Sequence, residues 1–360
     1  MNIVAENLNF TGLTPDELEQ FLKSIDQPKY RAGQIFSWIH GRVVQSFNQM
    51  TDLPIELRQQ LESDCKLELP DILKIDDSGK TGSRKFLMEL SDGGKVESVF
   101  LPEGKRRTVC ISSQIGCPLA CKFCATGKMG FIRNLTTAEI VAQLYAIKRE
   151  MGGRITNVVF MGMGEPLLNY NSVIKAARLI HHESGLNIGA RKITISTSGI
   201  ASRIRQLADE RQPFRLAFSL NATTDKVRSQ LMPINLKHDL TACIDALEYY
   251  SSRMRQKITV EYIQLPGLND FKDDADRLIK IVRKLRAKLN IIPFNPIPNS
   301  TYRHPNQNEL NRFYSIVEPA IETVTVRWSQ GSDISAACGQ LYAENEKRKS
   351  HPADKTQQPA

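Results

Sequence analysis

With 360 residues, 41% of them apolar, the chain is too long for one minimal domain, and it has no run near the roughly 18 apolar residues that a membrane helix needs. A formal net charge of +9 favours a polyanionic partner, nucleic acid first, because no amphipathic or lipid-anchor signal points to a membrane. Seven unevenly spaced cysteines argue against a secreted disulfide scaffold, and the start MNIVAENLNF lacks both the basic and the apolar region of a signal peptide, so a reducing cytoplasm is expected.

In chain order, residues 1–70 read as a small helical accessory domain. Thr14-Pro15-Asp16-Glu17 is a capping box with proline at the first helical position, opening a helix through Leu22 and Lys23. Arg31 to Ile39 follows with an apolar stripe, and Pro54 to Leu61 forms a third short helix. Residues 71–107 read as a β-hairpin linker, with Lys85–Leu90 and Lys95–Leu101 flanking the turn Ser91-Asp92-Gly93-Gly94. Glu97 shares a strand face with Val99 and Leu101; by pattern alone it is a sheet-edge glutamate with one side in water.

From residue 108 strands alternate with helices. Strand-like runs are 108–112, 157–160, 192–196, 215–219, 259–264, 290–294 and 323–327. Helical patterns fill 137–150, 171–183, 200–209, 238–252, 272–288 and 308–318, the first opened by the capping box Thr136-Thr137-Ala138-Glu139. Such alternation predicts parallel strands with right-handed crossovers, hence an α/β fold built on a partial (β/α)6 barrel over residues 108–343. The tail, 344–360, is polar and expected to be disordered.

The chemistry concentrates in CISSQIGCPLACKFCATGKMGF, residues 110–131. Cys117, Cys121 and Cys124 form C-x-x-x-C-x-x-C, a thiolate cluster suited to a soft metal or an iron–sulfur cluster, and three ligands leave one coordination position free. Closing a structural zinc site would need a fourth ligand, from Cys110 or Cys338, or less directly His40 or His181. The triad follows the first barrel strand, Gly162-Met163-Gly164-Glu165-Pro166 the second, Ser198-Gly199 the third, Asn221 the fourth and Asn295-Pro296 the sixth. Each cluster lies beyond the carboxyl end of a strand, where parallel barrels build active sites. Alone, Gly-Met-Gly-Glu is compatible with a tight turn, and Ser196, Ser219 and Asn295 with strand-end or turn residues. The basic residues of 277–288 read as the solvated face of a helix, and Lys105-Arg106-Arg107 as a patch at the far end of the first strand from the triad. Cys65 and Cys243 read as structural.

On these motifs the chain resembles the radical S-adenosylmethionine (SAM) superfamily. RRTVCISSQIGCPLACKFCATGKMGF, VVFMGMGEPLLN, KITISTSGI, RSQLMPIN, PFNP and DISAACGQL resemble, more closely, the rRNA/tRNA adenine-C2 methyltransferases. The neighbouring adenine-C8 methyltransferases, which confer antibiotic resistance, are similar in most of these stretches and give the alternative activity. The resemblance runs from about residue 11 to residue 345. It implies a radical SAM barrel in which Cys117, Cys121 and Cys124 hold a 4Fe-4S cluster whose fourth iron chelates SAM. Gly164, Glu165, Ser196, Ser219, Leu220, Asn221 and Asn295 match the family's SAM contacts, although the family usually has histidine where this chain has Asn221. It further implies that Cys338 carries the methyl group as S-methylcysteine, that Cys110 resolves an RNA–protein crosslink, and that Glu97 accepts a proton. The resemblance also implies that two SAM molecules are used per turnover. The implied partners are 23S rRNA, tRNA and an external electron donor such as flavodoxin or ferredoxin; no surface stripe suggests an obligate dimer, so a monomer is expected.

Overall fold

The computed structural model of the chain describes residues 8–343; the polar tail expected to be disordered lies outside the described residues. Strand β1 (Leu8–Asn9) pairs in parallel with β2 (Cys65–Lys66), and between them lie α1 (Pro15–Ser24), α2 (Tyr30–Phe36) and α3 (Ile55–Asp64). The capping box of α1 forms as read: Glu17 N donates to Thr14 Oγ1 at 3.3 Å, and Thr14 N donates to Glu17 Oε2 at 2.8 Å. Helix α2 is shorter than expected. After Phe36 the chain widens into a π-helical turn, Ser37–Arg42, and stops at Val43 in the left-handed region, φ 59°. Phe10 meets Phe21 and Phe47 edge-on and seals the small core.

The remaining strands form a ten-stranded sheet in the order β14-β13-β12-β11-β10-β9-β6-β5-β4-β3. Seven of them are parallel neighbours: β6 (Arg106–Cys110), β9 (Asn157–Phe160), β10 (Ile193–Thr197), β11 (Arg215–Ser219), β12 (Thr259–Gln264), β13 (Lys288–Pro293) and β14 (Val324–Val326). Their crossovers carry α5 (Thr137–Met151), α6 (Tyr170–His181), α7 (Ala201–Asp209), α9 (Leu240–Arg253), α10 (Lys272–Lys284) and α11 (Gln307–Val317). The runs VVF and LAF are apolar on both faces, as buried parallel strands require. These elements agree with the α/β barrel read from the sequence.

Three differences have physical reasons. The hairpin of β4 (Arg84–Glu89) and β5 (Lys95–Glu103) gains a third strand, β3 (Asp71–Asp77), and β5 pairs antiparallel with β6, so all three extend the barrel sheet. Strand β3 is a charged, largely exposed edge with a bulge between Ile72 and Lys74, which hides its period in the sequence. Helix α10 stops at Lys284, because Arg286 turns left-handed at φ 49°. Helix α8 (Asp225–Leu231) has only seven residues and fell inside a stretch read as a connection. The edges β14 and β3 do not pair. The turn between β3 and β4 meets the segment after β14 through side chains instead: Ser78 Oγ donates to Asp333 Oδ2 at 2.9 Å, and Ser83 Oγ to Gln330 Oε1 at 3.3 Å. Among the described residues no helix is long and apolar enough to cross a membrane.

The helical unit docks on α5 and α6. Lys175 binds Glu17 at 2.6 Å, and Tyr145 Oη and His40 Nδ1 share a hydrogen bond of 2.6 Å, with both rings buried. Burial, reinforced by His182, pulls the His40 pKa down to about 3. The folded pKa lies below the unfolded value, so the stabilisation is complete above about pH 6.5 and is lost as pH falls towards 3. Between about pH 7 and pH 5 this one group is expected to remove about 2 kcal/mol of stability, at roughly 1.4 kcal/mol per pH unit below the unfolded pKa. Urea unfolding across that interval checks it: the midpoint of His40→Gln should fall less steeply than that of the native chain, and equal slopes would refute the assignment.

Candidate active site

The cysteine loop is an excursion from the sheet, pinned at its base. Beyond β6 the chain forms β7 (Gln114–Gly116), runs through the three cysteines and α4 (Ala125–Met129), and returns along β8 (Phe131–Asn134) antiparallel to β7. Cys117 N donates to Gly130 O at 2.9 Å. Gly116 has φ 72°, and a Cβ there would overlap the Gly130 carbonyl, so only glycine lets the ribbon close under the loop.

The thiol at the other end of the chain is tied to this loop. Ala125 N donates to Gly339 O at 2.6 Å, and Thr126 Oγ1 donates to Leu341 O at 2.7 Å. Asn295 Nδ2 reaches Cys338 O at 3.2 Å and Ser329 Oγ at 2.8 Å, while Gln340 Nε2 donates to Pro296 O at 2.8 Å. As a result Cys338 faces the same cavity as Cys117, Cys121 and Cys124, together with Gly164, Glu165, Ser196, Ser219 and Asn221.

The cavity wall explains its own sequence. Gly164 has φ 99°, and a Cβ would lie 2.6 Å from the Gln114 side chain, whose Oε1 accepts from Glu165 N at 2.8 Å. Glu165 is buried; its Oε2 accepts from Ser198 N at 2.8 Å and its Oε1 from Leu167 N at 3.1 Å. Burial raises its pKa, and these hydrogen bonds oppose the rise. Asn221 adopts φ 55°; its Oδ1 accepts from Ile263 N at 3.0 Å, and Asn269 Nδ2 holds its carbonyl at 2.8 Å.

Four of the sequence-selected residues lie off the cavity wall. Leu220 is fully buried in the core. Asn295 holds the Cys338 backbone. Cys110 is buried at the end of β6, and burial together with the field of Cys338 pushes its thiol up to about 12. Glu97 is 4% exposed, which corrects the edge-glutamate pattern: β5 is an interior strand, flanked by β4 and β6. Its Oε1 lies 3.1 Å from Lys85 Nζ, and its Oε2 accepts from Tyr342 N at 2.8 Å, four residues beyond Cys338. Burial raises the Glu97 pKa, against the pull of Lys85. Cys110 pairs directly with Val99 across β5 and β6, and Glu97 stands two residues along on the same face.

Sequence reading missed Glu261 and Arg327. Arg327 Nη1 donates to Glu261 Oε1 at 3.1 Å and to Met161 Sδ at 3.5 Å, and Ser196 Oγ lies 3.5 Å from Glu261 Oε2. Burial raises the Cys338 pKa, and the Arg327 guanidinium pulls it back down. The available signal was Glu261 itself, a carboxylate inside TVEYIQ, a strand with residues buried on both faces. Among the described residues no three His, Cys, Asp or Glu side chains are placed to hold a single metal ion. Three thiols around one cavity that do not converge on one ion fit a polynuclear cluster, in which different irons take different sulfurs.

Comparison with known proteins agrees with this geometry. The model of the Radical SAM superfamily matches residues 111–287, and that of the ribosomal RNA large subunit methyltransferase N-terminal domain matches residues 8–67. The dual-specificity RNA methyltransferase RlmN of Geobacter sulfurreducens is 46% identical over 93% of this chain and 92% of its own. The RlmN of Marinomonas sp. is 41% identical over 94% of each chain. A solved radical SAM methyltransferase from Sphaerobacter thermophilus superimposes with a TM-score of 0.89 at 40% identity, covering 94% of this chain and 100% of that one. Members of the superfamily use a 4Fe-4S cluster and SAM. The chain therefore belongs to the RlmN family and is a SAM-dependent RNA methyltransferase of the radical SAM type.

Proposed function

We propose that the enzyme methylates C2 of adenosine in 23S rRNA and in tRNA, on the adenosine 3′ of the anticodon, through a methyl group staged on Cys338. The observation that carries this reading is the presence of Cys338 on the wall of the triad's cavity, with Cys110 buried close enough to feel the field of Cys338. An sp2 carbon such as adenine C2 is no nucleophile, so direct transfer from a sulfonium is not available. A thiol is a nucleophile, and Cys338 can take the methyl by displacement.

In this reading Cys117, Cys121 and Cys124 hold the 4Fe-4S cluster. Gly164, Glu165, Ser196, Ser219 and Asn221 hold SAM, with Leu220 and Asn295 behind them. The bound pair supplies one-electron hydrogen abstraction from the Cys338 methyl group. The methylene carbon left on Cys338 adds to C2; the cluster site held by Cys117, Cys121 and Cys124 would take back one electron, the C2 proton leaves, and a thioether joins protein to RNA. Cys110, as thiolate, then attacks the Cys338 sulfur. The S–S bond forms as the S–CH2 bond breaks, the electron pair passes to carbon, and a proton completes the methyl group. Glu97 and Cys110, which share one face of the β5–β6 pair, are the groups that accept the C2 proton in this reading. Two SAM molecules are consumed, one for the methyl and one for the hydrogen abstraction. An external donor such as flavodoxin or ferredoxin supplies the electron, and the enzyme works as a cytoplasmic monomer.

Mass spectrometry of nucleosides from a strain lacking the chain should show loss of 2-methyladenosine from both 23S rRNA and tRNA; loss of 8-methyladenosine instead would favour the C8 alternative. Cys110→Ala purified from cells should carry covalent RNA, visible as nuclease-sensitive bands of reduced mobility, whereas Cys338→Ala should carry none. RNA-free Cys110→Ala would contradict the resolving role. Cys121→Ala, reconstituted anaerobically, should retain less than about a tenth of the native iron, since a cluster needs its thiolates.

A further inference from the structure

Lys85 lies on β4 with its side chain 12% exposed, and its Nζ stands 3.1 Å from Glu97 Oε1. The register of the three added strands sets this contact. Asp76 on β3 stands opposite Lys85, Lys85 opposite Val99 on β5, and Val99 opposite Cys110 on β6. Residues paired across neighbouring strands share a face, so one row crosses four strands from the exposed edge to the buried thiol. Glu97, opposite Leu87, stands one step along that face, and the long lysine side chain reaches it diagonally.

Few other charges reach Glu97. On β3, Asp76 binds Lys74 at 2.7 Å and approaches Lys85 only to 3.6 Å. At the hairpin end of the face, Glu89 on β4 and Lys95 on β5 meet each other at 3.8 Å. On β6, the Cys110 thiol is pushed up to about 12 and carries no charge near neutrality. The Cys338 segment offers the N–H of Tyr342, which donates to Glu97 Oε2 at 2.8 Å and brings no net charge. Among the described residues, Lys85 is therefore the one cation within ion-pair distance of Glu97. A carboxylate only 4% exposed takes up a proton unless a cation compensates for the lost water. Burial pushes the Glu97 pKa up, and Lys85 pulls it back. Once protonated, Glu97 cannot accept the C2 proton, so the base needs its lysine.

We infer that Lys85 is a positioning residue of the methyl-transfer reaction, which holds Glu97 as the carboxylate that receives the C2 proton and orients it between β4 and the Cys338 segment. The inference rests on the proposed proton-accepting role of Glu97. In that step the C2–H bond breaks and its electron pair stays with the adenine ring, while the proton forms an O–H bond on Glu97. Lys85 keeps all its protons throughout and acts only through its charge.

The test uses the full-length, anaerobically reconstituted enzyme as native chain, K85M, K85R and D76N. Single-turnover formation of the methylated adenosine is followed from about pH 6 to about pH 9, and each rate is divided by the native rate at the same pH. Losing the cation raises the Glu97 pKa, so the base form is lost at low pH and recovered at high pH. The K85M ratio is expected near ~0.1 at about pH 7, equivalent to a shift of about one pH unit, and to climb at least about fivefold by about pH 9. K85R keeps the charge, so its ratio should not vary with pH, whatever its absolute value. Asp76 acts against Lys85, and D76N should show the reverse slope, with its highest ratio at the acid end. A K85M ratio constant across the range would mark a merely structural role and overturn the inference, as would a K85R ratio that climbs as steeply as that of K85M. If K85M does not fold, D76N decides: a ratio that falls with rising pH supports the role, and a flat or rising one refutes it. Failure of the proton-acceptor reading is separately visible, because E97Q would then turn over at the native rate.

Discussion

A thiol at position 338 has to meet a loop at positions 117–124, and two hydrogen bonds make the meeting possible. Ala125 N on Gly339 O and Thr126 Oγ1 on Leu341 O join the first β/α crossover to the segment after the last strand. Everything else in the site follows from that closure. The parallel register carries the carboxyl ends of β9 to β13 to one rim, but a rim alone leaves Cys338 free to point elsewhere. Pinning Gly339 and Leu341 holds the Cys338 segment against the triad loop before any ligand binds.

The interior that results is unusually rich in buried charge. Glu165, Glu261, Arg228 and Glu97 are each less than 9% exposed. Each is tied to a neighbour that also shapes the cavity or the Cys338 segment. Glu165 binds the turn after β10, Glu261 takes Arg327, Arg228 holds the turns after β10 and β11, and Glu97 holds the backbone of Tyr342. Buried ions of this kind contribute little net stability, because desolvation offsets their attraction. Their value lies in geometry: each fixes the orientation of a loop that would otherwise have several.

The barrel was legible in the sequence because buried parallel strands are short apolar runs and the crossovers between them are amphipathic helices. The triad was legible because cysteine in that spacing has few other uses, whereas Cys338 stood out only through the resemblance of DISAACGQL, since alone it reads as a small buried cysteine. Glu97 was misread by pattern alone, since alternation along β5 cannot tell an edge strand from one about to be paired by β6. Arg327 and Glu261 escaped for a related reason. A barrel interior lined by polar groups at its mouth looks, strand by strand, like a half-exposed sheet. The pairing of these two residues, 66 positions apart, exists only in the closed fold. Helix α8 was too short to show a period, and its arginine could not be recognised as buried.

The unpaired edges of the sheet set the mechanical character of the site. Strands β14 and β3 share no backbone ladder; the turn between β3 and β4 and the segment after β14 are joined by Ser78 with Asp333 and by Ser83 with Gln330. A ladder separates only cooperatively, whereas two side-chain bonds can be exchanged for water at about 0.5–1.5 kcal/mol each, somewhat more for the carboxylate. The barrel is in this sense a clasped bracelet rather than a ring. Its clasp lies on the segment that leads to Cys338, so opening the clasp costs the sheet none of its ladder hydrogen bonds.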